Sequence, residues 1–262
     1  MGWETLSAWG ADATRIAPLA GGVANDVWRV RINGETVVGR LGKRTDADLA
    51  WECALLQHLS GAGLTVPVPI PTRDGRMFVD GLVLMPFLVG GPPESARDWV
   101  RVAEVLRAVH GVTQGWPQRP GWRSSRDLLQ VETGTKIDLT AMPVEGVQRC
   151  RAAWARLDGH QTCVVHGDPN PRNVLMTAER VALIDWDEAR VDAAALDLAL
   201  PGNAAALPDT DYEIAAQASA AWEAAVCWGD DYAIKRLAEV RSVSARASRC
   251  LSGKSLRASR SA

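Results

Sequence analysis

The chain has 262 residues, 47% of them apolar and 23% charged, enough to bury roughly 70–75% of the unfolded surface in one or two cores. A formal net charge of −2 excludes a protein whose whole surface is built to ride on nucleic acid. The five cysteines have no C-x-x-C spacing, which points to neither a disulfide framework nor a zinc knuckle, and no run of ~18 apolar residues suggests a membrane span; a cytoplasmic protein with no nucleic-acid or membrane partner is expected.

The first elements read as strands. Residues 15–41 form short β-prone runs: residues 26–32 alternate, Asn33-Gly34 is a type I′ hairpin signal, and residues 35–41 return as an antiparallel partner. Residues 46–59 carry Leu49, Trp51, Leu55, Leu56 and Leu59 close to a 3.6 period and read as one amphipathic helix. The alternating prolines of residues 66–71 forbid a helix, and Gly75 and Gly81 punctuate further short strands ending in Leu82-Val83-Leu84-Met85.

After Gly90-Gly91-Pro92-Pro93 the texture turns helical, with a capping arrangement at Ser95 and Asp98 and a stripe of Trp99, Val102, Leu106 and Val109. A boundary is therefore expected near residues 86–93, dividing residues 1–88 from 89–262. Residues 116–143 show no period and read as a substrate-side insertion. Residues 143–157 read as helix, 162–165, 174–176 and 181–184 as short strands, and 211–228 and 231–244 as alanine-rich helices. Residues 241–262 hold six Arg or Lys and no acid, the composition of a solvated or disordered basic tail.

The chemistry concentrates in Val164-Val165-His166-Gly167-Asp168-Pro169-Asn170-Pro171-Arg172-Asn173, followed by Leu183-Ile184-Asp185-Trp186. A strand enters, a polar loop presents an Asp and, after four more residues, an Asn, and a hairpin presents a second Asp at its far end. Phosphoryl transfer needs those parts: a carboxylate to orient the attacking hydroxyl and accept its proton, and oxygen ligands that hold Mg²⁺ against the phosphates. Asp168 suits the first role, Asn173 and Asp185 the second.

The segment resembles the aminoglycoside phosphotransferase and choline-kinase-like (APH) family, whose hallmark H-G-D-x-x-x-x-N, then hydrophobic-D-W/F, is met at every position. The resemblance covers residues 15–200. It implies an α+β, protein-kinase-like two-lobed fold, with a small antiparallel-sheet N-lobe and a larger helical C-lobe, acting as a kinase with ATP or GTP as donor and Mg²⁺ as metal. It also implies that Gly21, Gly22 and Asn25 belong to a loop over the nucleotide phosphates, where glycine lets backbone N–H groups approach. By the same resemblance Arg40 is the strand residue that reaches those phosphates, with Lys43 as competitor, and Glu52 is its helix partner. Met85 and Phe87 lie where the adenine edge would be held, and an ordinary core role suits both equally. His166 and Asp197 would order the catalytic loop, and His110 matches a structural histidine.

Ser252-Gly253-Lys254-Ser255 imitates the end of a phosphate-binding loop, but Ser248 stands where that motif needs glycine. A protein kinase is disfavoured because Asp192 and Asp197 follow Asp185 too closely to leave room for an activation segment. Between Asp185 and Asp231 acids abound and Arg190 is the lone base; such a field favours a cationic acceptor, with Asp187 and Glu188 best placed to grip an amine. The expected partner is thus a small hydroxyl-bearing cation, of the aminoglycoside or cyclic-peptide antibiotic sort, with a metabolite (choline, amino sugar or homoserine-like) as the alternative acceptor and a silent nucleotide-binding scaffold as the non-enzymatic one. A monomer and a homodimer are both compatible with the sequence.

Overall fold

The computed structural model describes residues 2–19, 25–134 and 136–241. Its N-terminal region is an antiparallel sheet in the order β1 (Thr14–Pro18), β2 (Asp26–Ile32), β3 (Glu35–Leu41) and β4 (Leu82–Pro86). Asn33 and Gly34 both take positive φ, 49° and 80°, the two-residue type I′ turn whose twist matches the flanking strands. That turn sets the register from Ile32 opposite Glu35 to Asp26 opposite Leu41. Val30, Ile32, Val37, Leu82 and Leu84 pack with Leu6 and Trp9 in one cluster, while Val83 and Met85 pack on Leu49 in another. The period-2 rule puts Arg40 on the Val38 side of β3.

Helix α1 (Asp46–Gly61) starts where the Thr45 hydroxyl accepts from the Asp48 amide. Leu49, Trp51, Leu55, Leu56 and Leu59 are buried, but so are Asp48 and Glu52. Two carboxylates one turn apart on a buried helix face require cationic partners, and those partners define the site below.

The chain leaves β4 through Gly90-Gly91, where the Gly91 amide donates to the Met176 carbonyl at 3.1 Å and its carbonyl accepts from the Met176 amide at 2.6 Å. A Cβ on Gly90 would lie 2.9 Å from the Met176 carbonyl oxygen, so only glycine allows so close a crossing. The C-terminal region holds α2 (Ala96–Val112), α3 (Val144–Trp154), α4 (Asp209–Val226) and α5 (Asp231–Glu239), with two small antiparallel pairs. These pairs are β5 (Thr162–Val165) with β8 (Arg190–Ala193) and β6 (Val174–Met176) with β7 (Val181–Leu183). A Ser95–Asp98 capping box opens α2. One core cluster joins α1, α2 and the inner strands; a second joins α3 and α4 to Trp122, Leu128, Ile137 and Leu139.

The sequence pattern and the structure part in several places. Helix α3 ends at Trp154 and tightens into a 3₁₀ turn over Ala155–Leu157. Helix α4 begins and ends two residues earlier than expected, and α5 stops at Glu239 with Val240 turned into the core. Strand β8 has no alternation to announce it; its four residues pair with β5 across the intervening residues 166–189. The described residues of 116–143 form turns and short 3₁₀ segments whose apolar side chains complete the α3–α4 core, while Lys136 reaches the cleft described below. The basic tail beyond residue 241 lies outside the described residues.

Candidate active site

The loop between β5 and β6 is built on glycine and on one buried carboxylate. Gly167 has φ +86°, and a Cβ there would meet the Glu188 carbonyl oxygen at 2.5 Å, so both conformation and space require glycine. The Asp197 carboxylate accepts from the amides of His166 (2.7 Å) and Gly167 (2.9 Å). It also faces His110 Nε2 at 3.0 Å. Burial pushes the Asp197 carboxyl upward, but the hydrogen bond and charge of His110 outweigh it and hold the group below the usual carboxylate range. His166 Nε2 faces the Ile184 carbonyl at 3.0 Å and Nδ1 the Asp168 amide at 3.4 Å. A carbonyl can only accept, so Nε2 donates and Nδ1 accepts, and one imidazole ties the loop to the strand end before Asp185.

Asp168 is oriented from two sides. The Asn170 side-chain amide donates to both carboxylate oxygens at 2.9 Å, and that of Asn173 donates to Oδ2 and to the Asp168 carbonyl at 3.0 Å. Those bonds occupy the Asn173 nitrogen and leave its Oδ1 unengaged among the described residues. The Ile184 amide donates to the Asn173 carbonyl at 2.9 Å, which brings the next residue, Asp185, to the loop. Asp185 sits in the left-handed region at φ 61°, ψ 69°, a conformation that costs a non-glycine residue on the order of 1–3 kcal/mol and that clusters at functional sites. Its carboxyl opens into the cleft and accepts no hydrogen bond among the described residues; partial burial and the charge of Asp187 raise its pKa.

Arg40, Arg44 and Arg119 meet Asp48, Glu52 and Asp187 in one charge-balanced cluster. Arg40 pairs with Glu52 and, at 2.9 Å, with Asp187. Arg44 spans Asp48 (3.0 Å), Glu52 and Asp187 (3.1 Å). Arg119, 1% exposed, pairs with Asp48 and donates to the carbonyls of Trp186, Asp187 and Ala189 at 3.1, 3.1 and 2.8 Å. Burial would raise the Glu52 carboxyl, but the three guanidiniums hold it at about 2.

Asp168, Asn173, Asp185 and part of the charge cluster share one cleft of about 660 Å³, within the usual range for small-molecule sites. Asn25, Arg40, Glu52, Met85, Phe87, Asp168, Asn173, Asp185, Asp187 and Glu188 all line it. The Arg29 guanidinium lies 5.0 Å over the Phe87 ring. His166 and Asp197 stand behind the loop, and Gly21 and Gly22 lie outside the described residues.

Asp187 and Glu188, expected to act together, are separated. They occupy a 3₁₀ turn, Trp186–Glu188, in which successive side chains diverge by about 120°. Asp187 turns to Arg40, Arg44 and Asn25, so its carboxylate is already engaged and is not offered to an amine. Glu188 turns to Lys136. Sequence reasoning missed Asn170, Arg44, Asp48, Arg119 and Lys136. Asp48 and Glu52 did carry a signal, since they are four residues apart in line with Leu55 and Leu59; Arg119 and Lys136 carried none.

A sheet-plus-helix N-terminal region joined to a helical C-terminal region, with this loop between them, defines the protein-kinase-like class. The chain belongs to the phosphotransferase enzyme family (APH), whose model matches residues 15–233. A homoserine kinase of Granulibacter bethesdensis is 29% identical over 231 residues, 77% of this chain and 69% of its own. For a homoserine kinase of Gluconobacter oxydans the identity is 28% over 204 residues, 71% of this chain and 64% of its own, so the chain spans about two thirds of the length of these relatives. In fold it is similar to a choline kinase of Streptococcus pneumoniae, with TM-score 0.64, 14% identity, and 91% and 95% of the two chains covered.

Proposed function

We propose that this chain transfers the γ-phosphoryl group of ATP, with Mg²⁺, to the hydroxyl of a small amino-alcohol metabolite. The observation that carries the reading is the placement of Asp168, Asn173 and Asp185 on one cleft. Homoserine kinases among the relatives support the acceptor class.

The residues present fit a divalent cation. Among the described residues no cluster of three His, Cys, Asp or Glu side chains could hold a metal by itself. The pair formed by the Asn173 amide oxygen and the open Asp185 carboxylate instead matches a Mg²⁺ site, where one or two protein ligands are completed by phosphates and water. Held there, the cation would neutralise phosphate charge. Asp168 would take the proton of the attacking hydroxyl; its two asparagine contacts aim the carboxylate, and Asp197 fixes the loop that carries it. Arg40 lines the cleft, held by Glu52 and Asp187, and would reach phosphate oxygens by exchanging its Asp187 contact for them.

The electrostatic support for a cationic antibiotic as acceptor is reduced. Asp187, Glu188, Asp192, Glu213 and Glu223 are all ion-paired to Arg or Lys, most of them supplied from outside residues 185–231. Five of the eleven acids between residues 185 and 231 are therefore neutralised by Arg or Lys within the fold. Coupled measurement of ADP release across amino alcohols, hydroxy-amino acids, sugars and aminoglycosides tests the reading: turnover is expected with the first two classes, and turnover confined to aminoglycosides would overturn it.

A further inference from the structure

Glu188 and Lys136 form an ion pair on the wall of the cleft, and both its members are incompletely used. Lys136, Glu188 and Asp168 line the same cleft, so the pair faces the space that also holds the group that would receive the hydroxyl proton. Lys136 engages Glu188 through Oε1 alone. Oε2 is buried with no hydrogen-bond partner, and a buried carboxylate oxygen without a donor is costly until a donor arrives. The Lys136 ammonium has three donors, rests 5.4 Å from the Trp122 ring, and keeps 34% of its side chain exposed. One empty acceptor and spare donors side by side complement a molecule that carries an ammonium and a carboxylate on neighbouring atoms.

We infer that Glu188 and Lys136 form the recognition element for a zwitterionic acceptor, so that the substrate is a small hydroxy-amino acid. Glu188 receives the amine and Lys136 the carboxylate. Lys136 is then the specificity residue: it attracts the carboxylate and repels acceptors of net positive charge, choline-like or polyamine-like. This rests on the amino-alcohol kinase reading above.

Homoserine and 3-aminopropan-1-ol, which differ only by the carboxylate, separate the possibilities. Wild type is expected to favour homoserine in kcat/KM by at least about ten-fold, the worth of one charge-assisted contact. K136M should lower homoserine kcat/KM at least about ten-fold more than that of aminopropanol, chiefly through KM, and K136R should restore the preference. E188Q should weaken both acceptors. Wild-type preference for aminopropanol, or an equal loss on both acceptors in K136M, overturns the inference alone. Turnover of neither acceptor by wild type overturns the amino-alcohol reading and the inference with it.

Discussion

Asp168 owes its position to amides rather than to charge: Asn170 and Asn173 hold its two oxygens. D168N should lower kcat by about 10²–10⁴ fold while nucleotide Kd, followed by titration calorimetry, stays within a few-fold of wild type. Parallel loss of nucleotide affinity would assign Asp168 to binding instead. Asp197 acts at one remove, through the amides of His166 and Gly167. D197N removes the charge that both amides point at, so kcat should fall by one to two orders of magnitude with thermal stability also reduced. His166, Gly167, Asp168, Asn173 and Asp185 were all legible as a string, because local spacing along one loop and one hairpin is enough to bring them together.

At the scale of elements, α1 and the stretch after β7 are joined through Arg119. That guanidinium lies near the rings of Trp51 and Trp122 and bonds the carbonyls of Trp186, Asp187 and Ala189, so it braces the backbone directly behind Asp185. R119M would leave Asp48 with Arg44 as its remaining cation and strand the three carbonyls. It should destabilise the protein by about 3–5 kcal/mol, read from denaturant unfolding, and raise the Mg²⁺ concentration needed for half-maximal rate at a temperature where the variant is still folded. An unchanged Mg²⁺ dependence would reduce Arg119 to a purely structural role. Residues 116–143 have no period from which such a role could be read, because their contribution is made by single side chains reaching distant elements.

Over the whole molecule, the balanced Arg–acid cluster couples stability to pH. Glu52 has its folded pKa held at about 2 against a usual value of 4.5, so its contribution is fully present above about pH 4.5 and is lost as pH falls toward 2. The shift corresponds to ~3 kcal/mol. Acid titration of the unfolding free energy should therefore fall less steeply in E52Q than in wild type over that interval, although E52Q starts less stable because Arg40 and Arg44 lose a partner. Burial also pushes the thiols of Cys150 and Cys163 up to about 12, leaving roughly one molecule in ten thousand as thiolate at pH 8. Peptide-mapped alkylation should find both nearly unlabelled until denaturant opens the core. Among the described residues no helix is long and apolar enough to cross a membrane.

Sequence alone determined the hairpin at Asn33-Gly34, the capped helix after Ser95, the H-G-D-x-x-x-x-N string and with it the family, since each depends on residues within a few turns or strands of one another. Tertiary structure alone decided who pairs with whom among the charges. Asp187 and Glu188 are neighbours in the chain, yet a 3₁₀ turn sends one to Arg40 and the other to Lys136. Among the acids after Asp185, Glu188, Glu213 and Glu223 looked like part of an attractive field until cations from residues 136, 241 and 236 were brought against them. Coulomb energy falls with distance in space and takes no account of distance along the chain, so composition could show the charges but not their neutralisation.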